Sequence, residues 1–261
     1  MTEALGLYIP RESCIHLLHP LTKLAFVGFI LLGGLVLPGL WTTYALLFLV
    51  VAPLAWWGRV LRELIAATWR VALPFAISVF LIQGFLWPGG TAVIGFGAIS
   101  LKREGLIFAV ASTGRLLAVV SSFLWFAFTT RPDALMAALA QKGVPPGLTY
   151  ILLATLQIVP RFRARATAII DAQRARGLET SGNLLRRVRA VFPLVVPLIL
   201  SSLIDVEERA LAIEARAFNH AGPKTSLLEL EQAAWEPALR WAALLGGIGF
   251  LLLRLWVSLR W

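Results

Sequence analysis

The sequence predicts an all-α polytopic membrane protein, with about five transmembrane helices plus long cytoplasmic helices, and three observations carry that prediction. First, 59% of the 261 residues are hydrophobic and only 15% are charged. The mean hydropathy of +0.80 is far above that of a soluble domain of this length. Second, the apolar residues fall in runs near the ~20 residues that cross a bilayer. Third, charge is concentrated: residues 131–236 hold 13 of the 24 Lys and Arg and 10 of the 14 Asp and Glu.

The runs justify the elements in order. Residues 24–37 and 40–57 are split by Pro38-Gly39 and read as a helical hairpin with a short outer turn. A third run, 71–87, stops at Pro88-Gly89-Gly90, and the Gly-rich apolar stretch through Ala98 is expected at the membrane interface. The fourth spans residues 104–130. The fifth, 238–257, closes with Arg254, Trp256, Arg260 and Trp261 as interfacial anchors. The expected division is therefore 1–130, a membrane region of about four spans; 131–236, a cytoplasmic helical region; and 237–261, a C-terminal span.

By the positive-inside rule the basic block 131–236 faces the cytoplasm. Arg59, Arg62 and Arg70 fall on the same side as a linker, which places the N-terminus inside and the C-terminus outside. Lys102 and Arg103 run against the rule, partly offset by Glu104. Glu3, Arg11, Glu12, His16 and His19 interrupt the first twenty residues, so no cleavable signal peptide is expected. The net charge of +10 comes without a nucleic-acid-binding motif and reads as basic loops beside anionic headgroups. The single cysteine, Cys14, excludes an intrachain disulfide framework and a CxxC site.

Within the cytoplasmic region the pattern is helical. Pro145-Pro146-Gly147 opens a helix that bends at Pro160 and continues through Arg165 and Ile169; Gly182-Asn183 then breaks the chain. A second helix is expected over about 188–218, kinked at Pro193 and Pro197, with Asp205 and Arg209 as a supporting i,i+4 pair. Its apolar stretch, 192–204, has two prolines and flanking arginines, and is read as a half-buried helix rather than a span.

Both helices close on a similar tripeptide, Ala175-Arg176-Gly177 and Ala215-Arg216-Ala217. A cation at a helix C-terminus is favoured by the dipole, and Gly after it is ordinary capping. Two such tips on neighbouring long helices, in a segment bracketed by spans, read instead as a two-pronged plug for a paired partner. Small residues, including Ala164, Ala166, Ala168, Ala172, Ala210 and Ala212, permit close crossing of the two helices.

At these residues the chain resembles the transmembrane (T) component of energy-coupling factor transporters, the family that includes subunits of biotin, cobalt and nickel importers. The resemblance extends over nearly the whole chain. It includes Leu18-His-Pro-Leu-Thr-Lys-Leu24, where His19 and Leu21 replace the Asp and Arg of the family pattern, and Thr129-Thr130-Arg-Pro-Asp-Ala-Leu135. It also includes Ile158-Val-Pro160 and the two tips. It implies an energy-coupling subunit in a prokaryotic cell membrane that docks two ATP-binding cassette ATPase subunits through Arg176 and Arg216. A substrate-binding membrane (S) subunit would sit over the helices that carry the tips. The family assigns substrate choice to that other chain. Ala217 stands where the family usually has Gly, so the second helix is expected to run on toward Asn219, with Arg216 the more tolerant tip. An apolar stripe of Leu194, Val195, Leu198, Ile199 and Leu203 lacks intrachain cover and is the expected S-subunit contact.

Other candidate chemistry is thin. Cys14, His16 and His19 form no metal-ligand spacing, and Lys224-Thr225 lacks the full phosphate-loop spacing, so ATP hydrolysis is expected on partners. No catalytic set, cofactor or metal is expected. Arg115 is an intramembrane charge, expected to be satisfied inside the protein by carbonyls or a carboxylate. A self-contained secondary transporter or a membrane scaffold is the alternative; no internal repeat favours the first, and paired arginine tips have no use in the second.

Overall fold

Helix breakers and caps decide where the membrane helices begin and end. The computed structural model describes residues 8–36, 40–87, 91–96, 99–178, 184–218, 220 and 232–259. The short α1 (Cys14–Leu17) precedes α2 (Pro20–Val36), which starts on a proline whose missing N–H is no loss at that position. α3 (Leu40–Leu46) passes through one π-helical turn, Leu47–Val51, into α4 (Ala52–Trp57). Pro53 explains the turn: it has no N–H for the carbonyl four residues back, and the Ala52 N–H before it reaches the Leu47 carbonyl, five back.

α4 ends in a Schellman cap with Arg59 in the left-handed region at φ 55°. Arg59 N–H donates to Trp56 O at 2.8 Å and Val60 N–H to Ala55 O at 3.0 Å. The Arg11 guanidinium, bonded to Arg59 O and paired with Glu63, ties the N-terminal segment to this corner.

α5 (Leu61–Leu86) begins at Leu61 rather than at residue 71. Arg62 and Arg70 therefore belong to the helix and not to a linker. Between α5 and α6 (Arg103–Thr129) the chain forms an antiparallel hairpin, β1 (Ala92–Phe96) and β2 (Ile99–Lys102), with Phe96 opposite Ile99 and Ile94 opposite Leu101. Here the sequence suggested only an interfacial stretch, yet Val93, Ile94 and Ile99 are strand formers. Thr91 closes the base through its N–H and hydroxyl, which donate to the Glu104 carboxylate at 3.0 and 3.1 Å.

α7 (Pro132–Gln141), α8 (Pro146–Ala175), α9 (Leu184–Ala215) and α10 (Glu236–Ser258) complete the chain. It forms two compact units, one of residues 143–227 and one of residues 7–142 with 228–261. In the second, α5 lies along α6, α10 along α2, and both α2 and α3 against α6. Missing side chains permit these approaches: a Cβ on Gly105 would lie 2.0 Å from Gln83 O, and one on Gly247 2.9 Å from Leu32 Cδ1. Ile30, Val27, Ala118, Trp125 and Phe128 form the buried core between α2 and α6.

Among the described residues three helical segments are long and apolar enough to cross a bilayer: Leu61–Phe85, Arg103–Thr129 and Glu236–Ser258. Two shorter apolar helices, Pro20–Val36 and Trp41–Trp57, accompany them. The chain is thus an all-α polytopic membrane protein with one short hairpin. α9, which carries the stretch 192–204, is not among the three. Pro38-Gly39, Pro88-Gly89-Gly90, Gly182-Asn183, Lys224-Thr225, Arg260 and Trp261 lie outside the described residues.

Candidate functional site

The two long helices of the 143–227 unit end in the same hydrogen-bonded cap. On α8, Leu178 N–H donates to Gln173 O at 3.0 Å and Gly177 N–H to Arg174 O at 2.9 Å, with Gly177 at φ 86°. On α9, Phe218 N–H donates to Ile213 O at 3.2 Å and Ala217 N–H to Glu214 O at 2.9 Å, with Ala217 at φ 52°. Both are Schellman motifs. Ala175 and Ala215 are the last helical residues, and Arg176 and Arg216 each stand one residue beyond, exposed, rather than within the last turn.

The expected run of α9 toward Asn219 is therefore corrected: the helix stops at Ala215 and the two tips match. A Cβ in the left-handed region costs about 1–2 kcal/mol, and the two backbone bonds that close the cap offset it at Ala217.

α8 and α9 run antiparallel, as three contacts taken in order establish. The Tyr150 and Phe218 rings lie 5.4 Å apart. Arg165 donates from NH2 to Asp205 Oδ1 at 3.0 Å, from NH1 to Asp205 Oδ2, and from NH1 to Ser201 O at 3.1 Å. Nearer the first tip, Gln173 Nε2 donates to Pro193 O at 3.4 Å. That last carbonyl is free because Pro197, four residues on, has no N–H to give it. Asp205 thus serves the neighbouring helix rather than Arg209, as the i,i+4 spacing suggested. Antiparallel pairing sends Arg176 and Arg216 to opposite ends of the pair. Tyr150, Ile158, Phe162, Val206, Ala210 and Ile213 line a cleft of about 350 Å³ between the helices.

The model of the family described as cobalt transport protein, CbiQ, matches residues 11–227, most of the chain and all of this geometry. The chain belongs to the CbiQ family. It is 30% identical over 239 residues to the energy-coupling factor transporter transmembrane protein EcfT of Brevibacillus brevis, covering 87% of this chain and 89% of that one. With EcfT of Acidaminococcus fermentans the identity is 30% over 248 residues, 87% of each. With that of Lacticaseibacillus paracasei it is 29% over 250 residues, 90% of this chain and 92% of the relative. The resemblance to T components of energy-coupling factor transporters holds along most of the chain, and these relatives are transporter subunits.

Two stretches through which the chain resembles the CbiQ family meet in one buried polar junction. Lys23, 1% exposed, donates to Thr129 O at 2.7 Å and His16 O at 3.2 Å, placing a cation at the C-terminus of α6. The Glu236 carboxylate, 3% exposed, accepts from His19 N–H at 2.9 Å and from the Thr22 hydroxyl at 3.2 Å, placing an anion at the N-terminus of α2. Leu21 N–H donates to His19 Nδ1 at 3.3 Å. Burial, against the pull of Glu236, holds the His19 imidazole below its usual pKa. Arg131 forks onto Asp133 in the first turn of α7, and Asp133 also accepts from Ala134 N–H. The role of Glu236 at this junction lies beyond sequence patterning, because His19 and Thr22 are more than two hundred residues away.

Of the expected apolar stripe on α9, Val195, Ile199 and Leu203 are exposed, whereas Leu194 and Leu198 are half-buried. The exposed surface is broader than the stripe and includes Phe192, Val196, Leu200 and Ile204. Arg115 departs from expectation: its Nε is buried with no hydrogen-bond partner among the described residues.

Proposed function

We propose that this protein is the energy-coupling membrane subunit of an ATP-driven micronutrient importer, and that it works as a mechanical lever. Arg176 and Arg216, with Ala175, Gly177, Ala215 and Ala217 beside them, dock into two ATP-binding cassette ATPase subunits, which hydrolyse the nucleotide. The apolar face of α9, with Leu194, Val195, Leu198, Ile199 and Leu203, carries a substrate-binding membrane subunit. ATP-driven motion of the docked ATPases shifts the tips, and α8 and α9 pass the shift to that subunit.

One observation carries the reading: two helices tied at Arg165–Asp205 present identical capped arginines at opposite ends. A guanidinium held clear of its helix by a left-handed cap has its planar fork of donors free for a partner's carboxylates or carbonyls. Membership in the CbiQ family and similarity to EcfT support the same assignment. The 131–236 block faces the cytoplasm in this account, with the N-terminus inside, as its basic charge favours. Purification of the tagged chain from native membranes, with mass spectrometry of its companions, tests the proposal. Two ATPase subunits and a membrane subunit are expected, and Leu198→Glu with Leu203→Glu is expected to shed the membrane subunit. A chain that moves substrate alone, with no ATPase bound, would refute the reading.

A further inference from the structure

We infer that Arg115 is the recognition point for a membrane-spanning partner that presents a carboxylate inside the bilayer. Arg115 sits near the middle of α6, between Arg103 and Thr129, about 18 Å of helix from one end and about 21 Å from the other. Headgroup phosphates are beyond the reach of a snorkelling side chain from that depth. A cation there requires a counter-charge, and the described membrane helices of this chain offer none. In its membrane helices acids occur at Glu63, Glu104 and Glu236, each in the first turn of its helix. All three are engaged elsewhere: Glu63 by Arg11, Glu104 by Thr91 and Glu236 by His19 and Thr22.

The open end of α2 at about that level is also engaged. A Cβ on Gly34 would lie 3.9 Å from Ala118 Cβ, so the end of α2 at Val36 stands about level with Arg115, one turn along α6. The helix-end carbonyls there, Leu35 O and Val36 O, accept from Arg254 at 3.3 and 3.2 Å. Arg115 is left half-buried, its Nε buried and without a hydrogen-bond partner among the described residues. A carboxylate on a partner's helix supplies both the charge and the paired acceptor geometry that a guanidinium fork takes.

This rests on the functional reading only for the partner's identity, which is then the substrate-binding subunit. The test uses the full-length tagged chain purified from native membranes as wild type, Arg115→Leu and Arg115→Lys. Because the guanidinium has no hydrogen-bond or ion-pair partner among the described residues, Arg115→Leu is expected to accumulate normally, to melt at or above the wild-type temperature when isolated, and to keep its ATPases. It is expected to retain at most about a tenth of the membrane partner, with Arg115→Lys retaining several-fold more. Wild-type retention by Arg115→Leu, equal loss in both variants, or a misfolded or less stable Arg115→Leu chain would each overturn the inference. A wild-type chain that retains no membrane partner would count instead against the proposed function.

Discussion

Arg165 on α8 grips the Asp205 carboxylate on α9 with both terminal nitrogens, and one of them also reaches Ser201 O at 3.1 Å. The pair joins the two helices between their tips. Among the described residues this is the ion pair that links α8 to α9. A planar fork on a carboxylate fixes angle as well as distance, which a lever needs.

Breaking that pair should uncouple motion without releasing the ATPases. Asp205→Asn and Arg165→Ala are expected to lower ATP-driven uptake several-fold while ATPases still co-purify. The exchange Arg165→Asp with Asp205→Arg should restore part of the uptake. A double-mutant cycle on uptake measures this, and additive single effects would show that the two residues do not act as a pair.

The caps predict opposite effects of reciprocal substitutions. Ala217 holds a Cβ in a conformation that glycine adopts freely, so Ala217→Gly should stabilise the second tip by up to about 1 kcal/mol. Gly177→Ala should weaken the first by a similar amount, through backbone strain alone, since a Cβ there meets nothing within 4 Å. Hydrogen exchange at the Leu178 and Phe218 amides, whose bonds close the two caps, reads the change.

Removing either charge from the buried junction should be costly. Glu236→Ala leaves the His19 N–H and the Thr22 hydroxyl without acceptors, at roughly 1–3 kcal/mol for each buried group. Lys23→Met strips the donor from Thr129 O and His16 O and should destabilise by on the order of 2 kcal/mol. Thermal unfolding in detergent provides the measurement, and a change within error would remove the junction from the account of the fold.

The same junction predicts acid sensitivity. Burial lowers the His19 pKa, and burial followed by the nearby Lys23 charge lowers that of His16. The unfolded chain therefore takes up protons first. The stability these groups contribute is full above about pH 6.5 and is lost as pH falls through their lowered folded values. The melting temperature should fall between pH 7 and pH 5, and His19→Asn should flatten that slope. A slope unchanged in His19→Asn would assign the effect elsewhere.

Sequence patterning reached the elements whose signals are local and stopped where tertiary contacts decide. The long helices and their arginine tips follow from proline placement and the repeated tripeptide. Hydropathy places the start of α5 too late because Arg62 and Arg70 end the apolar run, although a helix carries charges into the interface without breaking. Alanine disfavours positive φ, so the sequence alone extends the helix through Ala217, yet the Phe218–Ile213 and Ala217–Glu214 bonds override that preference. The i,i+4 spacing pairs Asp205 with Arg209, whereas the antiparallel neighbour supplies a bidentate partner in Arg165. Glu236 and its partners stand at opposite ends of the chain, so only the fold unites them.

The central claim is that the capped arginines are docking pegs and not merely cations that offset helix dipoles. A dipole role predicts that Arg176→Lys changes stability by at most about 1 kcal/mol and leaves assembly intact. The direct measurement is ATPase co-purification and ATP-driven uptake by the Arg176→Glu, Arg216→Glu double variant beside Arg176→Lys. Docking predicts that the double variant folds into membranes with no ATPase bound, and that the lysine variant is impaired in uptake, because an ammonium lacks the guanidinium fork. With matching caps, Arg176→Glu and Arg216→Glu singly should each weaken retention to a similar degree. ATPase retention and uptake at wild-type levels in the double glutamate variant would contradict the account.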